Sequence, residues 1–367
     1  MINAKHIVIL CSRLDLPGGI EKAIIQLANT LSKKGYNITL FILDNTKETF
    51  YPLEKAVDII QHPLNFGITK KGNVFTRKIS FLKDITRLKK EVRKSDPDIV
   101  LSTEYPFAIA AVVAGLHKEY KLVSWEHHHL FELKKSGFWQ RLFQRTYPKL
   151  HAVVCLNSDE QKLYSQFNEH TTVVPNFILP ANGSRSADSK TILTVGRLTH
   201  VKGTDLLLKA AAVVLSRFPE WKWKIIGDGD MRIKAETFIK EKRLEKSMTI
   251  SPPFTNDLSA EYSAASIYVS ASRNESFGLT IAEAMAAGTP CISFDCETGP
   301  RHIIVNEDNG LLVKKENPEK LAEAIEKLIT NEELRRCLSE KASETIKQFH
   351  PDNILPEWEK LFLKLLA

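Results

Sequence analysis

Short apolar runs alternate with helix-period segments along the whole chain, and that alternation most restricts its fold. Residues 7–10, 38–43, 98–101, 121–125, 152–156 and 172–174 are brief stretches rich in Val, Ile and Leu. Unbroken runs of this kind suit strands buried on both faces, as in parallel sheets. Between the first two, Ile20, Ala23, Ile24, Leu27, Ala28 and Leu31 recur at helical spacing before Gly35 stops the segment. Pro, Asn, Gly and Ser then cluster from Asn176 to Ser189. A second alternating set follows, with strand-like runs at 191–195, 223–226, 248–250, 267–271, 290–294 and 310–313. Helical patterns lie at 203–217, 231–243, after Pro318 and at 354–366.

The predicted class is therefore α/β, with two doubly wound parallel-sheet domains. The expected boundaries are 1–178, a hinge at 179–190, 191–350, and a last helix, 351–367, that crosses back to the first domain. A chain of 367 residues exceeds one ordinary core, which agrees with two.

Charge is unevenly spread. Residues 1–180 hold 25 Lys and Arg against 17 Asp and Glu, a net +8; the rest hold 26 against 27, a net −1. Ten of the basic residues fall within 70–94, with Phe75, Ile79, Leu82, Ile85 and Leu88 at helical spacing among them. Two readings stay open: a helix lying on an anionic membrane surface, or one packing its apolar stripe on the core. No recognition motif for nucleic acid is present. No eighteen-residue apolar window occurs, and the first apolar run is too short for a signal peptide. Five scattered cysteines make no metal pattern, and fit a reduced, cytoplasmic protein.

The most telling motif is Glu275-Ser-Phe-Gly-Leu-Thr-Ile-Ala-Glu283, followed by Gly288-Thr-Pro290. A strand runs into it and another leaves it, so it is the loop and helix of a βαβ unit. Glu275 stands ahead of the helix, and Glu283 lies deeper, where a carboxylate accepts bonds from paired ribose hydroxyls. The amides of Phe277, Gly278 and Leu279 lie at the positive end of the helix dipole, where a diphosphate is stabilised. Val195-Gly-Arg-Leu-Thr-His-Val-Lys-Gly203 follows the first strand of the second set and places Arg197 and Lys202 at its carboxyl end. Two cations there neutralise a diphosphate; the alternative is a pair of loop cations. Gly227 and Gly229, after another strand, allow a close backbone approach to a nucleotide or mark a simple turn. Gly18 and Gly19 open the first helix and suit an anion or a tight turn; they form neither a dinucleotide fingerprint nor a P-loop. Glu126-His127-His128-His129 ends a strand. Consecutive side chains do not converge on one ion, so no metal is expected. His127, with His128 in reserve, is expected to face a sugar hydroxyl.

These segments resemble glycosyltransferase family 4, the retaining nucleotide-sugar transferases of GT-B architecture, over nearly the whole chain. The resemblance rests on Gly18-Gly19-Ile-Glu21, Glu126-His127, Val174-Pro-Asn176, Gly196-Arg197, Lys202-Gly203, Gly227-Asp-Gly229 and the Glu275/Glu283 block. It implies two Rossmann-like domains facing a cleft. It also implies that Glu275 holds the donor sugar, Glu283 the ribose, and Arg197 and Lys202 the diphosphate, with the amides of 277–279 assisting. His127 would sit by the donor sugar, and Gly19 near the phosphate and the acceptor. Where many relatives have Gly, this chain has Ser276, which adds a side chain near the donor. The stretch Ser293-Phe-Asp-Cys-Glu-Thr-Gly-Pro-Arg301 resembles the branch that builds bacterial surface polysaccharides.

The implied reaction moves a hexose or N-acetylhexosamine from a nucleotide diphosphate sugar, with UDP expected. The implied acceptor is a lipid-linked saccharide or a lipopolysaccharide or capsule chain at the inner membrane face. No Asp-x-Asp motif appears, so no cofactor or obligatory metal is expected. The rivals are a UDP-sugar epimerase or hydrolase of the same architecture and a non-catalytic sugar-nucleotide-binding protein.

Overall fold

The computed structural model describes residues 5–64, 66, 74–131, 136–181, 189–253 and 255–367, with backbone alone at 74–78. Lys70, Lys71 and most of the expected hinge therefore lie outside the described residues, as do the side chains of Phe75, Arg77 and Lys78. The chain divides into two compact units, residues 1–177 with 354–367, and residues 178–353.

The first unit is built on seven parallel strands: β1 (His6–Cys11), β2 (Asn37–Ile42), β3 (Asp58–Gln61), β4 (Ile99–Ser102), β5 (Lys121–Trp125), β6 (Ala152–Cys155) and β7 (Thr171–Val173). Their order is β3-β2-β1-β4-β5-β6-β7. β1 lies at the turning point, with Ile7 opposite Ile38 on one side and Ile99 on the other. Ile7, Val8, Ile9 and Leu10 are all buried, as a strand covered on both faces requires. The helix Gly19–Lys33 buries Ala23, Ile24, Leu27, Ala28 and Leu31, and Gly35 ends it at φ +89°. The last helix, Pro351–Leu366, sets Trp358 edge-on against Trp125, with ring centroids 5.2 Å apart, and Phe362 against Tyr36 at 6.1 Å.

The second unit has six parallel strands: β8 (Thr191–Val195), β9 (Lys222–Ile226), β10 (Met248–Ser251), β11 (Ile267–Ser270), β12 (Cys291–Phe294) and β13 (Leu311–Val313). Their order is β10-β9-β8-β11-β12-β13. Each sheet thus reverses direction once, between β1 and β4 and between β8 and β11. In open α/β sheets the crevice beyond the strand ends at such a reversal is where ligands bind.

Some elements carry only a weak sequence signal. β3 is an edge strand with only Ile59 and Ile60 apolar and none of its residues buried. The helices Gly137–Thr146, Ser158–Tyr164, Ser259–Ala264 and Glu332–Thr345 are short or strongly polar. Two of them start on an asparagine cap: Asn157 Oδ1 accepts from the Glu160 amide, and Asn331 Oδ1 from the Leu334 amide.

The basic segment forms a helix, Val74–Ser95. Phe81, Ile85, Leu88 and Val92 are buried in the core, so the fold itself uses much of its apolar stripe. Ile79 and Leu82 remain exposed at 40% and 61%. Arg93 makes two 2.7 Å bonds to Glu119, and Lys94 pairs with Glu91. Lys83, Arg87 and Lys90 have no ion-pair partner among the described residues.

Candidate active site

The loops after β8 and β11 meet at the reversal of the second sheet. Lys202 Nζ lies 2.5 Å from Glu275 Oε1, and the Ser272 hydroxyl donates to the same oxygen at 2.9 Å. Both side chains of the ion pair are mostly covered, with 25% and 13% exposed. The contact depends on Gly203, the residue after Lys202. At φ +67° it is left-handed, and a Cβ there would stand 1.8 Å from the Ala271 carbonyl oxygen. Only glycine lets the loops approach this closely.

Glu275 is also fixed by its backbone. Its carbonyl accepts from the Thr298 hydroxyl at 2.6 Å, and a Cβ on Gly299 would stand 2.5 Å from that carbonyl. The Cys296 thiol donates to the Ser272 carbonyl at 3.0 Å, and burial, foremost, then Glu275 push its pKa up to about 12. It is a packed thiol, not a nucleophile.

Gly278, at φ +91°, caps the helix Leu279–Ala286. The first bond of that helix runs from the Ala282 amide to the Gly278 carbonyl, so the amides of Phe277, Gly278 and Leu279 donate to no acceptor among the described residues. Ser276 and Phe277 are buried, and Phe277 packs edge-on against Phe349 at 5.4 Å. Glu283 lies one turn into the helix, and Tyr262 Oη donates to it at 2.9 Å. Tyr262 has no local sequence signal; it comes from a separate six-residue helix, Ser259–Ala264.

Arg197 is exposed, with no ion-pair partner among the described residues. The glycines of 227–229 have a structural use. A Cβ on Gly227 would stand 1.9 Å from the Gly196 oxygen, and one on Gly229 2.4 Å from that of Leu198. The Leu198 amide also bonds the Asp228 carbonyl at 2.9 Å. These glycines allow a close approach to the Arg197 loop.

In the first unit, Glu126 follows β5 as a buried carboxylate. Ser124 Oγ donates to it at 2.5 Å and Tyr164 Oη at 3.0 Å, and Tyr147 Oη donates as well. His127 is 7% exposed, with its ring 4.2 Å from that of Trp125. Burial, chiefly, and neighbouring His128 push its pKa down to about 3, so its imidazole is neutral. Its Nε2 has no hydrogen-bond partner among the described residues. His129 turns elsewhere, with Nδ1 2.5 Å from Glu160 Oε1.

At the reversal of the first sheet, Glu104 follows β4. Burial raises its pKa, and Glu21 and Glu126 add to that; a bond from Ser12 opposes it. A Cβ on Gly18 would stand 2.0 Å from a Glu21 carboxylate oxygen. The Glu21 carboxylate thus lies beside Gly18 at the start of the first helix.

Comparison with known proteins agrees with this arrangement. Residues 17–181 match Glycosyltransferase Family 4 and residues 179–345 match glycosyl transferases group 1. The chain belongs to the family 4 glycosyltransferases, has the GT-B fold and is a transferase. An uncharacterized glycosyltransferase of Haemophilus influenzae is 28% identical over 97% of this chain and 99% of its own. An α-1,4-N-acetyl-D-galactosaminyltransferase of Campylobacter jejuni, whose name gives a diNAcBac-PP-undecaprenol saccharide as acceptor, is 27% identical over 95% and 96%. Among solved structures, Staphylococcus aureus TarM in complex with fondaparinux, α-GlcNAc-glycerol and UDP superposes with a TM-score of 0.81 at 17% identity, covering 98% of this chain and 99% of that one.

Proposed function

We propose that this glycosyltransferase moves a hexose or N-acetylhexosamine from a UDP-sugar to a saccharide acceptor, lipid-linked or part of a surface polysaccharide, with retention at the anomeric carbon. The observation that carries the reading is the Lys202–Glu275 pair at the reversal of the second sheet. A cation and an acid held together suit a ligand with a charged diphosphate next to a hydroxyl-rich sugar. Lys202 and Arg197 receive the diphosphate, helped by the amides of 277–279. Glu275 accepts bonds from the sugar hydroxyls, and Glu283, braced by Tyr262, accepts them from the ribose. His127, neutral and with Nε2 unpartnered, offers that nitrogen to a sugar hydroxyl.

In the proposed step the acceptor hydroxyl attacks the anomeric carbon on the face the diphosphate leaves. The carbon–phosphate oxygen bond breaks as the new glycosidic bond forms. The acceptor proton passes to a departing phosphate oxygen, and UDP is released. Preorganised cations lower the barrier by stabilising that leaving group. The UDP in the Staphylococcus aureus complex and the lipid-linked acceptor named for the Campylobacter jejuni enzyme support the choice of donor and acceptor class.

A thermal-shift series with UDP, GDP, ADP and dTDP tests the donor reading. UDP alone raising the melting temperature supports it; no shift with any of them overturns it. Product NMR with the best UDP-sugar then reads the anomeric configuration.

The exposed Lys83, Arg87 and Lys90 are the proposed contact with an anionic membrane surface. Changing all three to Gln is expected to lower binding to phosphatidylglycerol vesicles, and unchanged binding sinks the idea.

A further inference from the structure

The donor-site reading makes no use of Arg273, yet this side chain joins both loops that carry it. It lies two residues before Glu275, and its side chain is 13% exposed. Its guanidinium forks onto Asp205, Nη1 to Oδ1 and Nη2 to Oδ2, both at 2.8 Å. Nη1 also donates to the His200 carbonyl at 2.6 Å, and Nε to Glu316 at 2.5 Å. The Arg273 amide donates to the Val201 carbonyl at 2.8 Å. One residue of the Glu275 loop thus grips the two positions before Lys202 and the first turn of the helix after it, Thr204–Arg217.

The charges fit that task. Arg273 is the cation nearest Glu275 in sequence, and left free it would compete with Lys202 for that carboxylate. Asp205 and Glu316 occupy it instead, and their bonds raise its pKa while lowering that of Asp205. That leaves Lys202, paired with Glu275, as the cation beside the proposed diphosphate. The planar fork matters, because it bonds a carboxylate bidentately and a carbonyl at the same time; a lysine ammonium cannot span the three partners.

We infer that Arg273 is a positioning residue for donor binding: it sets the geometry of Lys202 and Glu275 by locking their loops together, without touching the donor. The inference deepens the proposed function and rests on its donor site.

The test uses the full chain and two readouts. The first is UDP affinity by calorimetry, well below the melting temperature. Arg273→Lys is expected to weaken binding about tenfold, as Lys202→Met does, and the double variant is expected to be no weaker than Lys202→Met alone. A general loss of stability would instead leave affinity unchanged or make the two losses multiply; either result overturns the inference. The second readout needs no nucleotide: the rate at which acetic anhydride labels Lys202, followed by mass spectrometry. Release of the Lys202 loop in Arg273→Lys is expected to raise that rate several-fold over wild type, while Arg301→Lys, a surface pair with Asp295, leaves it unchanged. An unchanged rate in Arg273→Lys overturns the inference. Wild type that fails to bind UDP, with faster labelling in Arg273→Lys, would sink the UDP reading and leave the loop lock standing.

Discussion

The two sheet reversals follow one topological rule and hold opposite chemistry. The reversal between β1 and β4 belongs to the half of the chain with a net charge of +8, yet Glu21 and Glu104 gather there. The reversal between β8 and β11 belongs to the half with −1, yet it presents Arg197, Lys202 paired with Glu275, and helix-start amides with no acceptor among the described residues. Net charge describes a domain's surface as a whole. A site's charge is set by the few side chains that follow the carboxyl ends of two neighbouring strands. The proposed diphosphate site lies at the second reversal, where Arg197 and Lys202 stand.

The largest effect is expected at the positive end. Lys202→Ala or Glu275→Ala should lower transfer with the best UDP-sugar at least about 1,000-fold with the fold intact. Near-normal turnover by a folded variant would break the contrast between the two ends. Gly203→Ala comes next. Its methyl would collide with the Ala271 carbonyl at a left-handed φ, and a cost of about 2–4 kcal/mol is expected by urea unfolding. Little change would mean that the loops have room to part.

The third test concerns the first unit. His127 has a depressed pKa, so below about pH 6.5 the unfolded chain takes up a proton that the folded chain refuses until about pH 3. Its contribution to stability is complete above pH 6.5 and declines by about 1.4 kcal/mol per unit as pH falls toward 3. Unfolding curves for His127→Gln between pH 4 and 7 (set by these pKa values) should show a shallower decline; an identical slope would show that His127 is not held neutral. The smallest effect is expected for Tyr262→Phe, which removes the bond to Glu283. UDP affinity should fall by about fivefold, near 1 kcal/mol, and no change would take Glu283 out of the ribose contact.

The sequence made the parallel α/β class legible because strands buried on both faces must read as unbroken apolar runs. It located Lys202 and Glu275 in the loops after their strands, since Gly203 and Gly278 punctuate those loops. It also read the stripe in the basic segment, but Ile85 and Leu88 serve the core while Ile79 and Leu82 face outward. That division depends on which neighbours cover the helix, and composition does not encode it. Likewise the glycines of 227–229 read as a nucleotide contact or a turn, and only the structure shows that they pass the Gly196 and Leu198 carbonyls of a neighbouring strand's loop.

By itself the sequence determined the alternation of strand and helix, the breaks between them and the residue types at each strand end, because these depend on near neighbours in the chain. Only the tertiary structure decided which of those ends meet. Lys202 faces Glu275 across 73 positions, and Arg273 grips Asp205 across 68. Such pairs exist because β11 inserts beside β8 rather than beside β10, a choice made by packing whole strands and helices together.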